Sequence, residues 1–294
     1  MQNIDETYPI TIIHPDKIPE ALLEIPEPPK ELRMRGTLPD ETYTFLTVVG
    51  SRRYSNYGEQ VCRTLIAGLR GYPVVIVSGL AMGIDALSHQ TALENNITTI
   101  AFPGSGLNWK NLYPGINRRL AEKILESGGA LVSELKDDQP GAIWAFPRRN
   151  RLMAGIAKAT LVIESTDKSG TLITARLALD YNRDLLAVPG AIFNETARGT
   201  NGLLRQGATP ITCVQDLLEA LGFAEIKQSE TKTAELANCS PEEKQILILL
   251  SNGPMSRDDL IRATNMQTNE TNSLLSVMEI KGLVVEKLGE IWRN

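Results

Sequence analysis

Between residues 44 and 212, short runs of apolar residues alternate with longer segments in which apolar positions recur every three to four residues. The runs are TFLTVV (44–49), VVIVSG (74–79), TTIAFPG (98–104), ALVSE (130–134), ATLVIES (159–165), DLLAVPG (184–190) and the weaker ATPIT (208–212). Tyr57–Leu69 and Ala86–Glu94 are typical of the amphipathic segments between them. Near-continuous apolar strands alternating with helices predict a parallel sheet covered on both faces, an α/β, extended Rossmann-like domain over residues 44–222. Each run ends in small or polar residues: Gly50-Ser51, Ser78-Gly79, Gly104-Ser105-Gly106, Ser133-Glu134, Glu164-Ser165 and Pro189-Gly190. Open α/β sheets bind ligands beyond the carboxyl ends of their strands, so these turns are expected to converge on one site.

The flanks follow different rules. Residues 1–43 carry Pro9, Pro15, Pro19, Pro26, Pro28, Pro29 and Pro39 and read as an extended lead-in with a short strand near Leu32–Met34. Residues 223–240 are polar without apolar periodicity, which predicts a linker. Beyond it, residues 241–294 give a helix ending at Gly253, a second helix with Ser256 as its N-cap, a third stopped at Gly282, and a hairpin turning near Leu288-Gly289. Three helices and a hairpin predict a small winged-helix domain.

Composition narrows the function. With 294 residues, 42% hydrophobic and 22% charged, the chain has the make-up of an ordinary soluble protein of about two domains. The net charge of −5 excludes a broadly basic coat, so a polyanion would have to meet a local patch. Three dispersed cysteines (Cys62, Cys213, Cys239) and two histidines (His14, His89) exclude a cysteine zinc site and a multi-histidine metal site, and no metal is expected. The cysteine usage, the lack of a membrane-length apolar run and the lack of a basic-then-apolar start predict a cytoplasmic protein with no membrane span. GxGxxG and GxxxxGK[ST] are both missing, which weighs against a dinucleotide or ATP and leaves no cofactor to expect.

The candidate chemistry is anion binding. Arg52 and Arg53 follow Gly50-Ser51 at a strand end, and FPRRNR places Phe146, Arg148, Arg149, Asn150 and Arg151 at the start of a helix. Guanidinium forks suit bidentate phosphate contact. The turn Lys168-Ser169-Gly170-Thr171 opens another helix, whose first amides would offer a second anion contact. A helical period would send some of the arginines outward, and one of them is expected to pair with an acid such as Glu134 or Glu164. Tyr54, Tyr57, Trp109, Tyr113, Trp144 and Phe146 lie in or near these turns, and aromatic rings beside arginines can stack unpaired bases. Asp85 and His89, one helical turn apart, could hydrogen-bond each other; with no nucleophile beside them they are read as structural, and no catalytic residue is assigned. From Glu225 onward, eleven acidic side chains face eight basic ones, so the winged helix is expected to contact protein rather than a major groove.

Taken in order, GSR (50–52), SGLAMGID with His89, GSGL…YP…N (104–117), SE (133–134), FPRRNRLMAG, SGTLITA, AVPG (187–190) and GTNGLLRQGA (199–208) resemble the DNA-processing protein A (DprA/Smf) family. The resemblance implies a Rossmann-like domain that binds single-stranded DNA and, as a homodimer, helps load the RecA recombinase during natural transformation. It places Ser51, Arg52, Phe146, the arginines of FPRRNR and Ser169–Thr171 in the DNA pocket. The family's N-terminal helical SAM-like domain has no visible counterpart here. The alternative is a nucleotide-phosphate hydrolase of the lysine-decarboxylase-like (LOG) group. That group's PGGxGTxxE pattern needs a glutamate after the turn, where SGTLITAR has none and Arg176 is the nearest charge.

Overall fold

The computed structural model describes residues 4–40, 42–223, 240–250, 255–264, 266–281, 283–287 and 289–293. The chain divides into two compact units, Met1–Ala224 and Glu225–Asn294. In the first, β1 (Thr11–Ile13) and β2 (Leu32–Gly36) flank α2 (Glu20–Leu23), after a short opening helix α1 (Ile4–Thr7). Strands β3 (Thr44–Val49), β4 (Val74–Ser78), β5 (Thr99–Ala101), β6 (Ala130–Ser133), β7 (Ala159–Val162), β8 (Asp184–Ala187) and β9 (Thr209–Pro210) follow. Between and after them run α3 (Asn56–Ala67), α4 (Ile84–Glu94), α5 (Arg118–Glu126), α6 (Ala145–Ile156), α7 (Thr171–Asp180), α8 (Arg198–Arg205) and α9 (Val214–Leu221).

The nine strands form one sheet in the order β1-β2-β6-β5-β4-β3-β7-β8-β9. From β6 to β9 every pairing is parallel, and β1 and β2 run antiparallel at one edge. Side chains alternate between two cores, as a doubly covered sheet requires. In β4, Val74 and Ile76 pack with α3, α4 and α9 through Ile66, Leu87 and Leu217, whereas Val75 and Val77 pack with α2 and α6 through Leu22, Leu152 and Met153. Each fully buried aliphatic side chain contributes about 1.5–3 kcal/mol, so a strand buried on both faces is fixed in register. The parallel part of the sheet starts at β3 and winds outward in both directions. The crevice of this sheet therefore lies at the carboxyl ends of β3 and its two neighbours, β4 and β7.

Residues 1–43 are not the separate lead-in that their prolines predict. β2 pairs with both β1 and β6, and Ile13, Leu22 and Leu32 belong to the core beneath α6. The strand expected near Leu32–Met34 is β2, and it runs on to Gly36 through a buried arginine: Arg35, 2% exposed, donates from Nε to the Leu107 carbonyl (2.9 Å) and engages Asp5 and the Tyr8 carbonyl. The linker expected at 223–240 lies outside the described residues except at its two ends.

In the second unit, α10 (Pro241–Leu249), α11 (Arg257–Thr264) and α12 (Thr268–Ile280) pack with a three-stranded sheet. Its strands, β10 (Met255–Ser256), β11 (Val284–Lys287) and β12 (Glu290–Arg293), take the order β10-β12-β11, a winged-helix arrangement. Ser256 Oγ accepts the Asp259 N–H (3.2 Å), as its capping role requires. The first helix ends at Leu249; Gly253, Gly282 and Leu288, read as its stop, the third helix's stop and part of the hairpin turn, lie outside the described residues. No helix among the described residues is long and apolar enough to cross a membrane.

Candidate nucleic-acid interface

The loop after β3 is built to present a guanidinium. Ser51 Oγ accepts the Arg53 N–H (3.1 Å) and donates to the Arg53 carbonyl (2.7 Å), closing a tight turn. The Ile84 N–H, at the start of α4, donates to the Ser51 carbonyl (3.1 Å). Gly83 makes that approach possible: its φ is 91°, and a Cβ there would lie 2.3 Å from the Ser51 carbonyl oxygen and 2.4 Å from Arg52 Cα. Arg52 and Arg53 both emerge exposed from this turn.

The Arg52 guanidinium carbon stands 5.9 Å from the centre of the Phe146 ring, a cation–π geometry. Phe146 meets Tyr113 with ring centres 5.7 Å apart and planes at 47°. Arg149, one turn further along α6, donates to the Phe102 carbonyl at the end of β5. Arg52, Phe146, Arg149 and Tyr113 together line a small pocket floored by Gly79, Ala81 and Gly104, the residues that follow β4 and β5. Burial pushes the Arg149 guanidinium down to about 10, with Asp85 opposing and Arg52 adding to the effect, so the pocket holds two cations that feel each other.

The four arginines expected to gather here divide two and two. Arg148 and Arg151 lie three residues apart on one face of α6, and both turn to Glu134 after β6, at 2.9 Å and 2.5 Å. Arg151 is 6% exposed and also donates to the Glu27 carbonyl (2.6 Å), so it is a structural cation rather than a ligand group. Arg148 stays exposed beside its carboxylate. Arg149 is rotated by about 100° from Arg148 and points to the pocket instead. Asn150 is half-buried between the two sets. The acid expected to pair with an arginine is thus Glu134. Glu164 instead accepts from Ser55 N (2.9 Å), Ser55 Oγ (2.7 Å) and Thr196 Oγ1 (2.9 Å), clamping the start of α3.

The turn before α7 sits beside the Arg52 loop, because Thr171 Oγ1 donates to the Gly50 carbonyl (3.0 Å). Its amides are not the open set the sequence predicts. Gly170 is the N-cap residue, and Ser169 Oγ accepts the Thr171 N–H (3.2 Å). The Leu172 and Ile173 N–H groups donate to the carbonyls of Ser169 and Gly170. Lys168 and Gly170 are exposed at the rim, and Ser169 is half-buried with its hydroxyl turned to Thr171 Oγ1 (2.9 Å). The Lys168–Thr171 segment therefore braces the neighbouring loop and offers Lys168 as its exposed cation.

Asp85 and His89 do not bond each other as their spacing allows. Asp85 Oδ2 accepts the Gly79 N–H (3.2 Å), and His89 Nδ1 lies 2.6 Å from Thr99 Oγ1 in the interior. Met82 and Pro114 complete the pocket and were not assigned to it from sequence, whereas Gly79 and Gly104 belong to the turns expected to converge there. Trp144 is 53% exposed at the start of α6, and Tyr57 is turned aside, donating from its hydroxyl to the Pro189 carbonyl (2.8 Å).

Comparison with known proteins places this architecture. Residues 9–222 match the family model described as DNA recombination-mediator protein A, and residues 230–289 match the DprA winged helix domain. Protein Smf of Escherichia coli (strain K12) is 43% identical over 205 residues, which are 70% of this chain and 54% of that protein. The chain thus spans about half the length of that relative. The X-ray structure of DNA processing protein A from Streptococcus pneumoniae superposes with a TM-score of 0.67 at 34% identity, covering 72% of this chain and 74% of the other. DNA processing protein A from Helicobacter pylori, whose structure concerns its unique single-stranded DNA binding mode, gives a TM-score of 0.65 at 29% identity, covering 73% of this chain and 96% of the other. With residues 9–222 and 230–289 each matched by a model of the family and the fold superposing on a solved relative, the chain belongs to the DNA recombination-mediator protein A family.

Proposed function

We propose that this protein binds single-stranded DNA at the carboxyl ends of β3, β4 and β5 and acts as a non-enzymatic recombination mediator that helps load RecA. The observation that carries the reading is the joint placement of Arg52, Phe146 and Arg149 around one pocket. Two guanidiniums supply phosphate contact, and the ring between them supplies a face on which a base can stack. The likeness to the Helicobacter pylori protein supports the choice of ligand. Arg53, Arg148 and Lys168 are exposed cations flanking the pocket and extend the path of the strand.

The winged helix is proposed as a protein-contact module. Three of its basic groups are engaged within the unit: Lys281 with Glu243 (2.7 Å), Arg262 with Asp259 (3.5 Å), and Arg257 with Glu286. Homodimerisation and action during natural transformation complete the proposal. A monomer in sedimentation at micromolar concentration would remove the former.

The test of the binding site is a salt titration of oligo-dT binding by the full chain, wild type against Arg52→Ala and Arg149→Ala. Each variant is expected to weaken binding and to shallow the dependence on salt by about 0.7 in log–log slope, one phosphate's share on a single strand. Unchanged affinity and slope in both variants would sink the assignment.

A further inference from the structure

Beneath the pocket lies a buried carboxylate that the binding reading leaves without a task. Asp85 is 8% exposed, on the first turn of α4. Its Oδ2 accepts the N–H of Gly79, the first residue after β4. Gly79 lies against both Asp85 and Arg149. A Cβ built on it would lie 2.5 Å from Asp85 Oδ2 and 1.8 Å from Arg149 Nη1. The carboxylate and the guanidinium therefore converge on the side of Gly79 where a side chain would stand, and their ends fill that space.

An isolated buried carboxylate is costly, and such groups persist where a cation or several N–H donors face them. Burial raises the Asp85 carboxyl above its ordinary value; Arg149, the amides of Gly79 and Ala81, and Arg52 all act against that rise. The two cations that face Asp85 are thus the two that line the pocket. Arg149 gains correspondingly: Asp85 is the group that opposes the downward push of burial on its guanidinium. Arg149 Nε is buried without a partner, so the guanidinium is held through Nη1 on the Phe102 carbonyl and not through Nε. Its orientation rests on Phe102, on the turn at Gly79 and on the field of Asp85.

We infer that Asp85 is a positioning residue for the phosphate-binding pocket: by holding the Gly79–Ala81 turn and offsetting the charge of Arg149, it keeps that guanidinium aimed at a single phosphodiester. The inference rests on the single-stranded-DNA reading above and adds a residue to it. Asp85 itself touches no ligand; it acts through Arg149.

The test is a double-mutant cycle on oligo-dT binding by the full chain, read by fluorescence anisotropy at several salt concentrations. Asp85→Asn keeps the size and one acceptor for the Gly79 N–H but removes the charge. It is expected to weaken binding by about tenfold and to lower the salt slope by about 0.7, because the Arg149–phosphate contact is lost. In an Arg149→Gln background the same change is expected to cost less than about twofold. Gly79→Ala reaches the same guanidinium from the backbone, where the colliding atoms are the ends of two side chains. It is expected to leave the melting temperature near wild type while reproducing the Arg149→Gln loss, and it stands as the test if Asp85→Asn does not fold. Asp85→Asn binding within twofold of wild type would overturn the inference. So would a loss undiminished in the Arg149→Gln background, or, where Gly79→Ala stands alone, wild-type binding by that variant. Absence of oligo-dT binding by the wild type would instead defeat the binding reading on which it rests.

Discussion

Arg52 and Phe146 face each other across the pocket mouth, the guanidinium carbon 5.9 Å from the ring centre. One belongs to the loop after β3 and the other to the first turn of α6, so their contact joins two strand–helix junctions. A cation over an aromatic face contributes about 0.5–1 kcal/mol at exposed sites, enough to bias a flexible arginine toward one orientation. The ring is also the surface on which a base would rest. Phe146→Leu is expected to weaken oligo-dT binding by about tenfold, the cost of losing one stacked base, with the salt slope unchanged because no charge is removed. A slope change as large as that of Arg52→Ala would show that the ring serves only to place the guanidinium.

Glu134 governs the other pair of arginines. It meets Arg148 and Arg151 together, and Arg151 is nearly fully buried. Removing one partner of a buried pair leaves the other charge uncompensated, at a cost of about 3 kcal/mol or more. Urea denaturation of Glu134→Ala should show that loss as a lowered midpoint at unchanged m-value. Oligo-dT affinity at temperatures where the variant is folded should fall far less than in Arg149→Ala.

Gly83 sets the Arg52 loop against α4. A methyl group there would meet the backbone of Ser51 and Arg52, and the residue's φ of 91° disfavours any side chain. Gly83→Ala is expected to destabilise the fold by about 2 kcal/mol or more and to weaken oligo-dT binding in the fraction that stays folded. Thermal unfolding and anisotropy report the two effects separately. Wild-type values in both would show that the loop is positioned by something other than this contact.

His89 makes stability depend on acid. Burial, assisted by the positive charge of Arg149, holds its imidazole down to about 3 from an ordinary value of 6.5. Between those values the unfolded chain binds a proton that the folded chain refuses. The stabilisation is complete above about pH 6.5 and is lost as pH falls toward 3, by on the order of 5 kcal/mol at full extent. Asp85, whose carboxyl is raised by burial, works in the opposite sense above its unfolded value of 3.8, where rising pH costs stability until the folded value is passed. Urea unfolding from pH 7 to 4 is expected to show a decline that His89→Gln flattens. A decline equally steep in the variant would place its origin in other groups.

The parallel sheet was legible because its strands are apolar on both faces, and only a doubly covered sheet accepts runs such as VVIVS. The strand at Leu32–Gly36 was only partly legible, since it reads LRMRG and its buried Arg35 is neutralised by Asp5, distant in sequence and unknowable from pattern. The site was readable to the level of residue type. Arg52, Phe146 and Arg149 are all in the expected motifs, but which arginines of FPRRNR face the pocket depends on the phase of α6 and on Glu134 from another strand. The amides before α7 look free in sequence, yet local geometry already satisfies those of Thr171, Leu172 and Ile173. Asp85 illustrates the reverse case, a residue whose place under Arg149 comes from a turn that brings sequence-distant elements together.

The antiparallel pairing of β2 with β6 bears on how this protein can be shortened. A fragment cut at residue 43, the boundary the prolines invite, would lose both outer strands and strip Ala130–Ser133 of its neighbour. Bare ladder amides on a hydrophobic strand recruit a further strand from whatever chain is nearby. Such a fragment is a candidate for indiscriminate self-association, and oligomers formed by it would report a raw sheet margin rather than the assembly of the intact molecule.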